Sequence, residues 1–253
     1  MKTRIILCGA CGKMGGNVLS LLSADPDAVA VCGVDLYPKE IGIPVYKSFA
    51  DIQENADVII DFSSAENLKE RLEYAKQKKL GIVLASTGFT ADDLALIDEY
   101  SKEIAIFRTA NLSLGVNVMQ ALCKAAAQIL GENFDVEIIE RHHNLKKDAP
   151  SGTALMLADS VNEAFENKKT YVNGREGIVG AREKNEIGIH AVRGGTIVGE
   201  HEVMFAGEDE VITITHSAAS KRVFAVGAIR AAKFLNGKVA GRYAMKDLLA
   251  EEN

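Results

Sequence analysis

The chain has little of three things. It carries four cysteines in 253 residues, too few for a disulfide framework, so a reduced, cytoplasmic protein is expected. It has no apolar run near the roughly 18 residues that suggest a membrane helix. The apolar part of its first segment, Met1-Lys2-Thr3-Arg4-Ile5-Ile6-Leu7, is too short for a secretory signal. There is also no basic excess: 29 Lys and Arg against 35 Asp and Glu give a net charge of −6. That balance argues against a nucleic-acid coat while leaving room for a local basic pocket. What remains is ordinary for a globular protein, 47% hydrophobic and 25% charged, and its length admits one large domain or two modest ones. No internal repeat or low-complexity linker divides it.

Across the first half, short apolar runs alternate with helical patterns. Arg4–Cys8, Val29–Val34, Ala56–Asp61, Gly81–Ala85 and Ile104–Phe107 read as strands. Helices are expected from about Met14 to Leu22, from a cap at Ser64 to about Lys78, and from a Thr90/Asp93 cap to about Ser101. Continuous apolar strands alternating with helices mean a parallel sheet covered on both faces. After Asn111 the pattern changes. A long helix, Asn117–Leu130, precedes an alternating strand, Asp135–Glu140, and a second helix, about Thr153–Asn167. Ile187–Arg193, Ile197–Phe205 and Val211–Ser217 follow as strands; the last two look like a hairpin, so this second sheet is partly antiparallel. Lys168 to Asn185 is the loosest stretch and a candidate mobile loop. Val223–Leu235 is a helix able to return to the first domain. The fold class is therefore α/β, a Rossmann-type parallel sheet domain joined to an α+β domain with a mixed sheet.

Gly9-Ala10-Cys11-Gly12-Lys13-Met14-Gly15 sits between the first strand and the first helix. Glycines there permit a tight turn and let backbone N–H groups approach a pyrophosphate at the helix N-terminus. The spacing is G-x-x-G-x-x-G, because Cys11 occupies the second glycine of the strict dinucleotide fingerprint. The second strand ends in Asp35, where a carboxylate can accept hydrogen bonds from a ribose diol. A tight turn with no ligand is the competing reading. Cys8 and Cys11 also form a C-x-x-C, but Cys32 and Cys123 stand alone and offer no second pair for zinc. The loops Asp61-Phe62-Ser63-Ser64, Ala85-Ser86-Thr87-Gly88-Phe89 and Ala110-Asn111-Leu112-Ser113 follow strands at the carboxyl edge, where open α/β sheets bind ligands.

The most informative segment runs from Glu140 to Ala154. Two of the five histidines, His142 and His143, and two lysines, Lys146 and Lys147, fall just before Ser151-Gly152-Thr153 at a helix start. Hydroxyls and unsatisfied N–H groups there suit a carboxylate or a phosphate, the lysines add cationic charge, and a histidine can supply a proton near neutral pH. A solvated lysine loop and one structural histidine are the bland alternatives. No carboxylate spacing for a dinuclear metal site is evident, and no metal is expected.

The pattern H-H-x-x-K-x-D-A-P-S-G-T, together with Gly9–Gly15, Ser86-Thr87-Gly88-Phe89, Ala110–Asn117 and Gly194–His201, resembles the 4-hydroxy-tetrahydrodipicolinate reductase (dihydrodipicolinate reductase) family of bacterial lysine biosynthesis. The resemblance spans essentially the whole chain. It implies reduction of a small cyclic dicarboxylate by NADH or NADPH, in a homotetramer with no nucleic-acid or membrane partner. It implies a dinucleotide-binding domain of residues 1–113 and 223–253 and a substrate-binding and oligomerisation domain of residues 114–222. Domain closure over the substrate is expected because hydride transfer profits from water exclusion. By position, His142 resembles the proton donor and Lys146 the second catalytic residue. His143, Ser151, Gly152 and Thr153 resemble substrate contacts. Gly9, Ala10, Cys11, Gly12, Lys13, Met14, Asp35, Ala85, Ser86, Thr87, Ala110, Asn111, Leu112 and Ser113 resemble cofactor contacts. Lys13 stands where many members have Arg, and Leu36 where some have an Arg beside the acid; both bear on cofactor choice. Another Rossmann-type amino-acid or imine dehydrogenase is the alternative enzyme. A non-catalytic NADH sensor is the alternative of a different class, but no helix-turn-helix or basic stripe supports it.

Overall fold

Strands without polar alternation need cover on both faces, and the first half of the chain provides it. In the computed structural model, which describes residues 1–251, β1 (Thr3–Cys8), β2 (Ala28–Val34), β3 (Val45–Tyr46), β4 (Val58–Asp61), β5 (Gly81–Leu84) and β6 (Ala105–Arg108) form one sheet with the late strand β12 (Gly241–Tyr243). The order is β12-β6-β5-β4-β1-β2-β3, and every pairing is parallel. Ile5, Ile6, Ile59, Ile60 and Ile82 are fully buried at its centre. The strand order reverses between β1 and β4, which opens a crevice at their carboxyl ends. The helices are α1 (Lys13–Leu22), α2 (Leu68–Lys78) and α3 (Ala91–Tyr100), with α6 (Arg222–Leu235) and α7 (Met245–Glu251) from the chain's end. Thr90 and Asp93 form the expected capping box on α3. On α6, a Cβ at Gly227 would lie 1.7 Å from the Leu112 carbonyl oxygen, so only glycine lets this helix come so close to the 110–113 loop.

Leu114–Lys221 form a second compact unit; Met1–Ser113 and the segment from Arg222 onward form the first. Its sheet contains β7 (Asp135–His142), β8 (Thr170–Asn173), β9 (Glu186–Arg193), β10 (Glu200–Ala206) and β11 (Val211–Ser217), in the order β11-β10-β7-β9-β8. β10 runs antiparallel to β11 and β7, whereas β7, β9 and β8 are parallel. The helices α4 (Leu114–Leu130) and α5 (Gly152–Ala164) pack Met119, Cys123, Leu157 and Val161 against Val136, Ile138, Ile189 and Phe205. Strand alternation therefore turns Val136, Ile138 and Glu140 toward one face of β7 and Glu137 toward the other.

Four local expectations need correction. Ser64 does not cap α2, which starts after Asn67 in a left-handed conformation, φ 58°. Arg71 explains why: it donates to the carbonyls of Ser64 and Glu66, 2.7 Å each, so residues 64–67 turn around its guanidinium instead of entering the helix. α4 begins at Leu114 and not Asn117, and β10 begins at Glu200 and not Ile197. Finally, the 168–185 stretch is not simply a loop. It contains β8, and two of its arginines are tied to the sheet. Arg175 reaches Glu137 through two nitrogens at 3.0 and 2.9 Å, and Arg182 Nε does so at 2.9 Å.

His190 Nε2 completes the set around Glu137 at 2.7 Å. A side chain at Gly188 would collide with this carboxylate, its Cβ lying 1.8 Å from Oε2. Burial pushes Glu137 upward, but the bonds from Arg175, Arg182 and His190 outweigh it and bring the carboxyl down to about 2. A depressed carboxyl stabilises the fold above its unfolded value, about 4.3, and that stabilisation disappears as pH falls through the folded value. Between about pH 5 and pH 2 the native state should therefore lose about 3 kcal/mol from this group. Urea titrations at stepped pH check it: the acid-side fall in stability should be shallower by that amount in Glu137→Gln, and parallel curves would contradict it.

Candidate active site

The glycine loop is shaped by two close backbone approaches. Gly9 has φ +72°, and a Cβ there would lie 2.9 Å from the Phe62 carbonyl oxygen. A Cβ at Gly15 would lie 2.3 Å from the Ala10 carbonyl oxygen. α1 begins after Gly12 with no side-chain cap and no acid in its first turn. Its positive end is thus left open to an anion. Asp35 sits across the loop: Oδ2 accepts from the Cys11 N–H at 2.9 Å and Oδ1 from the Tyr37 N–H at 3.0 Å. A cleft of about 290 Å³ lies against it, lined among others by Gly9, Asp35, Tyr37, Lys47, Ser63 and Arg71. Lys13 and Lys39 are exposed and do not line that cleft. Cys8 and Cys11 are free thiols. Burial pushes the Cys8 thiol well above its ordinary value, so Cys8 itself is not a reactive thiolate.

Asp61, at the carboxyl end of β4, is 0% exposed and organises the neighbouring loops. Its Oδ1 accepts from the Ser63 N–H at 3.0 Å and hydroxyl at 2.5 Å. Its Oδ2 lies 2.8 Å from Arg71 Nε and 3.4 Å from the Ser86 hydroxyl. The Ala85 N–H donates to the Asp61 carbonyl at 2.9 Å. Ser86 is half-buried and Thr87 exposed. In the next loop, Asn111 Oδ1 accepts from the Ser113 N–H at 2.8 Å, and Leu112 and Ser113 are buried while Ala110 is exposed. The residues Gly9–Met14, Asp35, Ala85–Thr87 and Ala110–Ser113 all belong to this unit and follow its strands.

The other candidate residues belong to the Leu114–Lys221 unit, at the carboxyl end of β7. His142 Nδ1 lies 2.6 Å from Glu140 Oε2, and Glu140 is 0% exposed. Arg193, from β9, donates to both oxygens of Glu140 at 2.7 Å, and the Ser151 N–H donates to Oε1 at 2.9 Å. Burial pushes Glu140 up, but the bonds from Arg193, His142 and Ser151 outweigh it and hold the carboxyl below its ordinary value. Ser151 then caps α5: its hydroxyl accepts from the Ala154 N–H at 3.1 Å and lies 3.0 Å from His201 Nε2. Burial, helped by His142, pushes His201 down to about 4, so it is neutral at neutral pH and can accept the Ser151 proton. Lys146 Nζ is held by both oxygens of Asp148 at 2.8 Å, whereas Lys147 is exposed. His143 Nδ1 is buried with no partner, the condition in which a polar ligand is expected. Gly152 is exposed and Thr153 half-buried at the helix start.

Three participants in this cluster, Glu140, Arg193 and His201, carry no role in the sequence reading. A charged residue at the buried phase of the Val136-Ile138-Glu140 alternation is the one signal that points to Glu140. Arg193 is 53 residues away in sequence, a separation no local pattern bridges. Among the described residues no group of three or more His, Cys, Asp or Glu is placed to hold a metal ion.

Comparison with known proteins gives matches across the chain. Residues 3–112 match the family model for the N-terminus of dihydrodipicolinate reductase, and residues 115–249 that for its C-terminus. A 4-hydroxy-tetrahydrodipicolinate reductase from Caldanaerobacter subterraneus subsp. tengcongensis is 51% identical, covering 98% of this chain and 99% of the relative. One from Geobacter sulfurreducens is 40% identical over 98% of both. Among solved structures, the dipicolinate-bound dihydrodipicolinate reductase of Paenisporosarcina sp. TG-14 superposes with TM-score 0.80 at 24% identity, covering 96% of this chain and 98% of that one. The diaminopimelate dehydrogenase of C. glutamicum shares the fold more loosely, with TM-score 0.55 at 15% identity over 100% of this chain and 97% of that one.

Proposed function

The chain belongs to the dihydrodipicolinate reductase family and is an NAD(P)H-dependent reductase of 4-hydroxy-tetrahydrodipicolinate, and we propose that His142 and Lys146 carry its chemistry. The observation that carries this reading is the convergence, within Glu140–Thr153, of a histidine fixed by a buried carboxylate, a lysine and a helix N-terminus. The 4-hydroxyl leaves as water with a hydrogen from the neighbouring ring carbon, and a hydride and a proton then add to the conjugated ring. When bound, the nicotinamide supplies the hydride.

The protein's residues do the rest. Gly9 and Gly15 leave room for a diphosphate where side chains would collide with backbone, and the uncapped start of α1 supplies N–H donors to it. Lys146 binds a substrate carboxylate in competition with Asp148 and neutralises charge as electrons enter the ring. The α5 N-terminus, with Ser151, Gly152 and Thr153, holds the same carboxylate, and the unpartnered His143 Nδ1 takes a substrate oxygen. His142 delivers the proton. The diaminopimelate dehydrogenase likeness is one of fold and supports no second substrate.

With freshly generated substrate, His142→Gln should lower kcat by about 10²–10⁴-fold while the NADH dissociation constant, read by fluorescence titration, barely moves. A kcat within about threefold of wild type would remove His142 from the mechanism. Lys146→Ala should raise substrate KM and lower kcat, and Lys147→Ala should do little; equal effects would overturn the assignment of the two lysines.

Asp35 should accept bonds from the ribose diol of NADH and repel a 2′-phosphate. Lys13 and Lys39 reach that phosphate only if the Leu36-Tyr37-Pro38 loop folds toward it, and then as flexible point charges with less selectivity than an arginine fork. Both cofactors should therefore be used, with NADH modestly favoured, and Asp35→Ala should shift kcat/KM toward NADPH. A wild-type preference for NADPH above about tenfold, or 1.4 kcal/mol, contradicts this.

A homotetramer is the proposed assembly. Its supports are the family pattern and the exposed apolar side chains Val192, Val211 and Ile212 on the five-stranded sheet. Sedimentation equilibrium should give four times the 27.2 kDa chain mass, and a monomer mass would reject it.

A further inference from the structure

We propose that Glu140 is a positioning residue for the reduction: it fixes which nitrogen of His142 carries the transferable proton, with Arg193 as the counter-charge that keeps that proton releasable. The proposal rests on His142 being the donor.

Four donors meet the two oxygens of Glu140, two on each: His142 Nδ1 and Arg193 Nη1 on Oε2, Arg193 Nη2 and the Ser151 N–H on Oε1. An ionised carboxylate only accepts, so Nδ1 of His142 must carry a hydrogen whether the ring is neutral or charged. The proton that comes and goes is then the one on Nε2. That nitrogen points past β10's start, where a Cβ at Gly199 would lie 3.1 Å from it. Glycine at 199 keeps the donating atom uncrowded. His201 meets the His142 ring edge-on, centroids 5.2 Å apart, and being neutral it does not repel the imidazolium.

A buried carboxylate on Nδ1 favours an imidazolium over a neutral ring. Arg193 supplies the balance through a bidentate fork on the same carboxylate. Its Nη2 also donates to the Asp148 carbonyl at 2.7 Å, and the Asp148 carboxylate holds Lys146. One chain of contacts thus links the proposed donor to the proposed carboxylate-binding cation. The charged and titratable groups around His142 are Glu140 on β7, Arg193 on β9, His201 on β10 with His216 beside it on β11, and Lys146 and Asp148 in the following loop.

The test uses the full-length enzyme and compares kcat and KM across pH for Glu140→Gln, Glu140→Asp and Arg193→Gln, with NADH affinity as a control for folding. In Glu140→Gln, kcat should fall at least about tenfold, more than KM changes, and the alkaline limb of the kcat profile should move about 1 pH unit lower as the imidazolium loses its carboxylate. Arg193→Gln should move the same limb higher, and Glu140→Asp should recover part of kcat. A purely structural role would lower activity alike at every pH and displace neither limb. That result, or a wild-type profile in Glu140→Gln, overturns the proposal. If Glu140→Gln does not fold, an unmoved limb in Arg193→Gln overturns it alone. His142→Gln separates the two levels: if that variant keeps wild-type kcat, the donor reading falls and this proposal with it. If it is impaired while Glu140→Gln is not, only the positioning role falls.

Discussion

One buried carboxylate at the end of β7 takes four hydrogen bonds, and the geometry of the proposed chemistry hangs on it. Glu140 joins the strand that carries His142, the β9 side chain Arg193 and the first N–H before α5. A charge in this position would be costly if any partner were missing; breaking a buried pair of this kind typically costs about 3–5 kcal/mol because the remaining charge is left uncompensated. The saturation is therefore both a stability requirement and a positioning device. Glu137, three residues earlier on the opposite face, is saturated in the same way by Arg175, Arg182 and His190. Two of these partners, Arg175 and Arg182, come from the 168–185 stretch, so Glu137 orders a segment of chain rather than a proton donor.

The Rossmann-type unit uses the same device. Asp61 ends the fully apolar strand β4 and binds Ser63, Ser86 and Arg71 around itself. Asp35 binds the N–H groups of Cys11 and Tyr37 across the glycine loop. Both acids shape the carboxyl edge of the sheet before any ligand arrives, and the glycines at 9 and 15 keep that edge free of side chains. Pre-ordered donors lose little freedom on binding, which is how a scaffold turns weak contacts into orientation.

Much of the α/β architecture is legible from one sequence because burial on both faces writes itself as unbroken apolar runs: β1, β2, β4, β5 and β6 are all visible that way. The capping box at Thr90 and Asp93 is legible for the same reason, a local pattern with a local cause. β3, β8 and β12 are not, being two to four residues long and only partly buried. The Ser64 cap fails because Arg71 competes for the carbonyls of that turn. In the candidate site, the segment Glu140–Thr153 announces itself by composition. The hub inside it does not, because Arg193 and His201 reach it across strands from far along the chain. A buried acid in phase with aliphatic residues, as at Glu140 and at the end of Val58–Asp61, is the trace such hubs leave in a sequence.

The most direct test of this account is the protonation of the His142 ring itself, followed by nitrogen-15 NMR of histidine-labelled enzyme, with the His142→Gln variant assigning the signals. A carboxylate on Nδ1 predicts that Nδ1 stays protonated across the titration, with a strongly deshielded, slowly exchanging Hδ1, while Nε2 alone gains and loses its proton. A neutral ring bearing its hydrogen on Nε2, with Nδ1 bare, would contradict the central role given to Glu140.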